Sequence, residues 1–211
     1  VLIVSHNIRQ TQRICSRAIL MDHGQISLDG SPTQVCGLFY QQAQQRNIDR
    51  HIRMGNSHDI VPQDTSGAIK VKKIELLNRR GELINTAQFH EPLQVRISIT
   101  CHKQIEKAEI IVGLHTSDFV HVLSVSNAIS GQTSTLTAGT HQLVCSLSDI
   151  PLRPLSYSLR LAILDRYRQI HWYGENIMPI IVEAGQFDIT KLPELGIVHV
   201  PTQWTFTTQQ K

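Results

Sequence analysis

Three short segments of the chain gather side chains able to act together on a ligand. Ser5-His6-Asn7 directly follows the apolar run Val1–Val4. In open α/β sheets a polar group at the C-terminal end of a buried strand is where ligands bind, and an imidazole there can reach a nucleotide phosphate or an attacking water. The same spacing also suits a histidine that only caps a strand end. The second segment, HTSDFVH at residues 115–121, places His115, Ser117, Asp118, Phe119 and His121 around a turn. The third, HWYGEN at residues 171–176, joins Trp172 and Tyr173 to His171, Glu175 and Asn176. Sugar recognition needs this mixture: planar polar groups for hydroxyl pairs and aromatic faces for the apolar side of the ring. Large aromatics dominate sandwich cores, so Phe119 and Trp172 fit the core better than a ligand platform. Tyr157, between Leu155 and Leu159, fits a tyrosine-corner-like structural role, and Trp204 fits a core or interface position.

Other chemistries find weaker support. Glycoside hydrolysis needs two carboxylates on facing strands, and Asp118, Asp165 and Glu175 all fall at strand ends where pairing stays open. The chain holds 11 histidines, but no HxH or HxxxH pair on a strand-like segment, so no metal site is expected. Its 4 cysteines (Cys15, Cys36, Cys101, Cys145) show no CxxC spacing. Cys15, Cys101 and Cys145 lie among apolar residues and read as buried free thiols, with a Cys101–Cys145 disulfide as the alternative.

The elements that must position these groups follow from composition and periodicity. Hydrophobic residues at 41% and charged residues at 18% describe an ordinary folded protein. The net charge is +3 without a run of five or six like charges, so no nucleic-acid arm or anionic-membrane patch is indicated. No apolar run approaches the roughly 20 residues that cross a bilayer. VLIVSH has neither a basic n-region nor a cleavage site, and the chain is expected to begin inside a domain.

Three zones separate. In residues 1–46 strand and helix signals alternate: a buried strand at Val1–Val4, a helix capped by Asn7, an apolar stretch at Ala18–Asp22, a His23-Gly24 turn, a strand at Gln25–Leu28, and a helix opened by Ser31-Pro32. Residues 47–66 are polar and aperiodic and read as a linker. From Gly67 onward strand-length runs recur between turns: Ile69–Leu77, Leu93–Cys101, Ala108–His115, Val120–Val125, an alternation through Leu143, Cys145 and Leu147, Leu155–Leu164, Ile177–Val182 and Gly196–Phe206. About eight strands at this spacing point to a two-sheet antiparallel β-sandwich over residues 67–211.

The stretch LIVSHNIRQTQRICSRAILMDHGQISLDGSPTQV resembles the end of an ABC-transporter nucleotide-binding domain. On that resemblance His6 is the switch histidine that contacts the γ-phosphate, and Cys15-Ser16-Arg17, Gly24, Gly30 and Pro32 follow in the family's order. The chain has no GxxxxGKS or GxxxxGKT loop, no LSGGQ-like signature and no apolar strand ending in Asp-Glu, so it is expected not to hydrolyse ATP. Residues 67–206 resemble the C-terminal domain of ATP-binding subunits that export O-antigen-type polysaccharides (Wzt-like). The carriers are Asn78-Arg79-Arg80-Gly81-Glu82, Val112-Gly113-Leu114-His115, Leu152-Arg153-Pro154-Leu155-Ser156-Tyr157-Ser158-Leu159, Leu164-Asp165, and Gly196-Ile197-Val198 leading to Trp204. Ser156 stands where the family has glycine.

The resemblance implies an immunoglobulin-like sandwich that binds the end of a lipid-linked glycan and dimerises by exchanging a C-terminal strand. It implies a permease partner and a place at the inner face of the cytoplasmic membrane. ATP and magnesium belong to the parent subunit, no cofactor to this chain. The candidate carbohydrate contacts are His115, Ser117, Asp118, Phe119, His121, Trp172, Tyr173 and Asn176. A carbohydrate-active enzyme and a purely structural dimerisation sandwich remain the alternatives.

Overall fold

The computed structural model describes residues 2–5, 11, 12, 14–39, 42, 60, 62–188 and 196–205. Near the start, β1 (Ala18–Asp22) and β2 (Gln25–Gly30) pair antiparallel. His23 and Gly24 have φ of 49° and 79°, the left-handed pair that a two-residue hairpin turn needs to match strand twist. Arg17 clamps the hairpin's far end through two bonds to Asp29, at 2.8 and 2.5 Å. Residues 32–39 are helical behind a capping box, in which the Gln34 amide donates to Ser31 Oγ and the Ser31 amide donates to Gln34 Oε1. The strand expected at Val1–Val4 does not form within residues 2–5. No described strand lies beside them to take up their backbone groups, and Leu2 and Val4 are exposed. His6 and most of the expected linker lie outside the described residues.

The remaining strands build two facing sheets. One holds β4 (Ile69–Leu77), β5 (Leu83–Ile84), β7 (Leu93–Cys101) and β11 (Gly139–Leu147), in the order β11-β7-β4-β5. The other holds β3 (Asp64–Thr65), β6 (Thr86–Gln88), β8 (Ile105–His115), β9 (His121–Ser126), β10 (Ser134–Leu136), β12 (Ser156–Leu164), β13 (Ile170–Gly174) and β14 (Pro179–Glu183). Every pairing is antiparallel except β14 with β6. The fold is thus the antiparallel β-sandwich expected from the pattern, with β3 and the shortest strands added. Residues 63–65, expected in the linker, belong to it: the Gln63 amide donates to the Tyr173 carbonyl, and β3 pairs with β13.

Alternation explains the layers. Along β7 every second residue from Leu93 to Cys101 is buried, so one face closes the core and the other faces solvent. β12 lies inside the larger sheet, between β8 and the pair β13 and β14, and is buried along most of both faces, although its outward face carries Ser158 and Arg160. Tyr157, Leu159, Leu161 and Ile163 point from it into the core. The fully buried Tyr157 ring donates its hydroxyl to the Arg153 carbonyl at 2.8 Å, and burial pushes its phenol pKa well up. This is the corner-like role expected of it.

One expectation fails at the chain's end. Residues 196–205 form no strand, only a single bridge between Val198 and Leu152. Of the two places expected for Trp204, its exposure removes the core one and leaves the interface. What holds this segment is a hydrogen-bonded chain: His90 Nδ1 lies 3.0 Å from Asp149 Oδ1, and His90 Nε2 lies 2.8 Å from His199 Nδ1. Phe89 and Phe187 pack around the two imidazoles. All four cysteines are free. Cys101 lies opposite Gly139 and Cys145 opposite Val95, too far apart in register for a disulfide. Cys36 is buried, while Cys15 and Cys145 are only half-buried.

On the outward face of the smaller sheet, Glu75 receives Arg96 Nε at 2.9 Å and Lys73 Nζ at 2.5 Å. These partners, Arg96 first, hold its pKa below the usual range against the opposing effect of burial. A depressed carboxylate stabilises the fold above its unfolded pKa, near 4.3, and loses that contribution as pH falls through the folded value. Glu75→Gln should therefore melt below wild type at neutral pH. The gap should close on acidification below about pH 4, as read by thermal melts across pH.

Candidate functional site

The larger sheet turns one face to the core and the other outward, and its register sets three rows across the outward face. Directly paired residues of neighbouring antiparallel strands share a face. His121, His115 and Ser158 make one row, then Ser124, Gly113 and Arg160, then Ser126, Ile111, Ala162 and Tyr173. At the centre Gly113 keeps the surface low. A Cβ there would come 3.2 Å from the Leu123 carbonyl oxygen, and the Arg160 side chain lies alongside.

Arg160 is the one charged residue of β12. Its guanidinium stands 5.3 Å from the Tyr173 ring centroid, and its Nε is 3.7 Å from Glu175 Oε1. That nitrogen is buried and makes no hydrogen bond. Glu175 also accepts the Tyr173 hydroxyl and lies 4.0 Å from His121 Nε2. The segments 115–121 and 171–176 therefore meet, through His121 and Glu175. Burial first, and then the Glu175 carboxylate, raise the Tyr173 pKa, so its hydroxyl stays a donor at neutral pH.

His115 is fully buried although it belongs to this outward face, because Phe119 stacks on it at 5.3 Å and His121 meets it edge-on at 5.6 Å. His115 Nδ1 is 2.9 Å from the Thr116 carbonyl. A carbonyl can only accept, so Nδ1 carries the hydrogen and Nε2 of the neutral ring is a bare acceptor. That Nε2 has no partner. The turn beyond it is rigid: the Thr116 amide donates to the Val120 carbonyl, the Phe119 amide to the Thr116 carbonyl, and the Thr116 hydroxyl to Asp118. This turn holds Phe119 at φ 60° with its ring 49% exposed, a conformation that bulky residues avoid and that concentrates at functional sites.

The other expected residues divide. Ser117 is half-exposed on the turn, and Asp118 is buried with its carboxylate engaged by Thr116. Asn176 is half-buried at φ 51° beside Glu175. Trp172 is a correction. It is 1% exposed and belongs to the core, since strand alternation turns it away from Tyr173. Gly174 makes room for it, as a Cβ there would fall 2.8 Å from the indole. Phe119 shows the opposite behaviour, exposed where a core place was the better fit. Arg160 and Gly113 were not anticipated as site residues; the lone charge within SYSLRLAIL was the available signal.

Paired catalytic carboxylates are not found in this arrangement. Asp165 ends β12 and is bound by the Tyr167 and Gln169 amides and by His171. Burial acts to raise its pKa, but these bonds outweigh it and hold the carboxyl low. Along β13 it stands roughly 20 Å from Glu175, well beyond the 5–9.5 Å or so of glycosidase pairs. Among the described residues no three His, Cys, Asp or Glu side chains are placed to hold a metal, and no helix is long and apolar enough to cross a membrane.

These features define an antiparallel β-sandwich module with a polar, aromatic-flanked patch on one sheet face. Among solved structures it is similar to the crystal structure of the C-terminal domain of Wzt: TM-score 0.59 at 9% identity, over 71% of this chain and 92% of that one. A Niemann-Pick type C2 protein from Japanese carpenter ant matches at TM-score 0.42 and 10% identity, over 59% and 98%. A β-glucuronidase from Parabacteroides merdae matches at 0.36 and 17%, over 55% and 13%. No curated protein sequence matches the chain. The family model described as Wzt C-terminal domain matches residues 62–200, and the chain belongs to that family.

The placements give opposed expectations for the two large aromatics. Trp172→Ala should cost about 3–5 kcal/mol of stability, the range for emptying an aromatic site in a core. Phe119→Gly should leave stability within about 1 kcal/mol of wild type, because glycine relieves the positive φ. Chemical denaturation of both variants checks the contrast.

Proposed function

We propose that the outward face of the larger sheet binds a glycan, and that the chain is the recognition module of an ABC transporter subunit exporting a lipid-linked, O-antigen-type polysaccharide. One observation carries this: a buried donor that makes no hydrogen bond, Arg160 Nε, held only by its longer 3.7 Å ion pair with Glu175, and a buried acceptor that makes none, His115 Nε2, lie on one face beside Tyr173 and Phe119. An unmet donor and an unmet acceptor on neighbouring strands match hydroxyl groups, which both give and take hydrogen bonds. The flanking rings suit the apolar face of a pyranose. Ser117, Asp118, His121 and Asn176 edge the patch, and Glu175 orients Arg160 and Tyr173.

On this reading residues 1–46 are the end of a nucleotide-binding domain and residues 67–211 are the binding sandwich. The whole subunit works with ATP, magnesium and a permease at the inner face of the cytoplasmic membrane. A homodimer is supported by Val198, Val200 and Trp204, which expose apolar surface along a segment joined to its own sandwich by one β-bridge and the His90–His199 contact rather than by a paired strand. The chain as it stands should show no magnesium-dependent ATP turnover in a phosphate-release assay, because it carries no phosphate loop.

The binding test is a glycan array followed by calorimetry on the best oligosaccharide. Arg160→Gln and Tyr173→Ala should each weaken binding roughly tenfold, the equivalent of one lost polar or aromatic contact, while the melting temperature holds. Full affinity in both variants would move the site off this face. Asn176 is better tested as Asn176→Gly, since alanine at its positive φ would add strain.

A further inference from the structure

A second cavity lies away from that patch, where the sandwich is open at its side. Among the described residues β11 pairs only with β7, and β9 only with β8, so no described strand lies across the seam between these two edge strands. A cleft of about 480 Å³ follows the seam, within the range of small-molecule sites. Its floor is aliphatic: Ile97, Val112 and Leu136 from the core, with Ile110, Val125 and Leu143 only partly covered. Its mouth carries Ser130, Gln132, Ser134, Gln142 and Ser146, none of whose side chains makes a hydrogen bond among the described residues. No lining residue is charged and none is aromatic.

The cleft is not a slack loop. Asn127 braces the 127–134 segment by accepting the Ile110 amide at 2.7 Å and donating to the Ala108 and Gln132 carbonyls at 3.1 and 3.2 Å. The opposite wall is the edge of β11, in register with β7 over all nine residues. The opening is therefore built between two fixed walls.

We infer that this cleft takes a single aliphatic chain ending in an uncharged, hydroxyl-bearing head, such as a monoacylglycerol. The chain lies on the aliphatic floor and removes its half-exposed surface from water. The head meets the free serine hydroxyls and glutamine amides at the mouth. A sugar finds no aromatic face to stack on here, and an anionic or cationic head finds no counter-charge. This inference does not rest on the glycan reading, which concerns the outward face of the larger sheet.

Cys145 lines the cleft and is half-buried, which gives a direct readout. Octanoyl, decanoyl and dodecanoyl monoacylglycerols, below their aggregation limits, should slow iodoacetamide labelling of Cys145 in the intact chain, as mapped by peptide mass spectrometry. Labelling of Cys15 should not change. Apparent affinity should rise about fourfold per added methylene, as burial of each CH₂ group predicts. Dodecanoate, with its charged head, should protect less than the dodecanoyl ester. Ser134→Trp and, separately, Ser130→Trp close the mouth from exposed positions, and each should abolish protection while keeping the wild-type circular dichroism spectrum. Arg160→Gln should leave protection intact. Unchanged Cys145 labelling with all three esters overturns the inference, as does full protection in both tryptophan variants. Protection by an extended apolar peptide alone would overturn it in favour of strand addition at the β11 edge.

Discussion

β12 must be buried on both faces, and the rest of the sandwich is arranged around that requirement. Its odd-numbered residues Tyr157, Leu159, Leu161 and Ile163 fill the core, and its even-numbered residues Ser158, Arg160, Ala162 and Leu164 face outward. With β8 on one edge and β13 and β14 on the other, its backbone groups are met on both sides. Register follows from this. A slip of one residue would turn Arg160 into the core and Leu161 out to solvent, a change the burial energy forbids. The same register sets Gly113 beside Arg160 and Tyr173 beside Ala162. The patch is thus placed by core packing, and its own contacts among Arg160, Tyr173 and Glu175 are made on that frame.

Two opposed energies meet on this sheet. His115 Nε2, without a hydrogen-bond partner, costs about 1–3 kcal/mol of uncompensated desolvation, and Arg160 Nε, whose 3.7 Å ion pair with Glu175 is too long for a hydrogen bond, recovers only part of its own. On the reverse face the buried Trp172 removes an area worth about 4–6 kcal/mol, at about 25 cal/mol per Å² over 150–250 Å². Core burial wins, and it lets the sheet tolerate polar groups that are not at rest. The strained Phe119 belongs to the same account. Its ring shields His115 from water, so the acceptor remains unmet rather than hydrated.

Long strands with one solvated face were legible in the sequence. The bounds of β7 follow from alternation alone, because each position either meets the opposite sheet or does not. β4, whose alternation breaks at a bulge between Val71 and Lys73, is marked instead by its length and the turn after it. β13 was not legible as a strand. Its Trp172 and Tyr173 read as neighbours in a binding segment, whereas a period of two sends them to opposite faces. The two- and three-residue strands β3, β5, β6 and β10 are too short to carry a period. The alternation in Val198, Val200 and Trp204 predicts a strand, yet a strand needs a partner, and among the described residues Val198 alone finds one. Arg160 gave only the signal of a lone charge in an apolar run. His90 and His199 gave none, being 109 residues apart. Their contact is a product of the fold.

That contact also has a direction. Asp149 only accepts, so His90 bears its hydrogen on Nδ1, and its Nε2 in the neutral ring can only accept in turn from Nδ1 of His199. Both rings are therefore locked into a single tautomer by one carboxylate at the end of the line. The line of bonds thus runs one way, from the C-terminal segment through His90 to the carboxylate, and it fixes which edge of each imidazole is turned to Phe89 and Phe187.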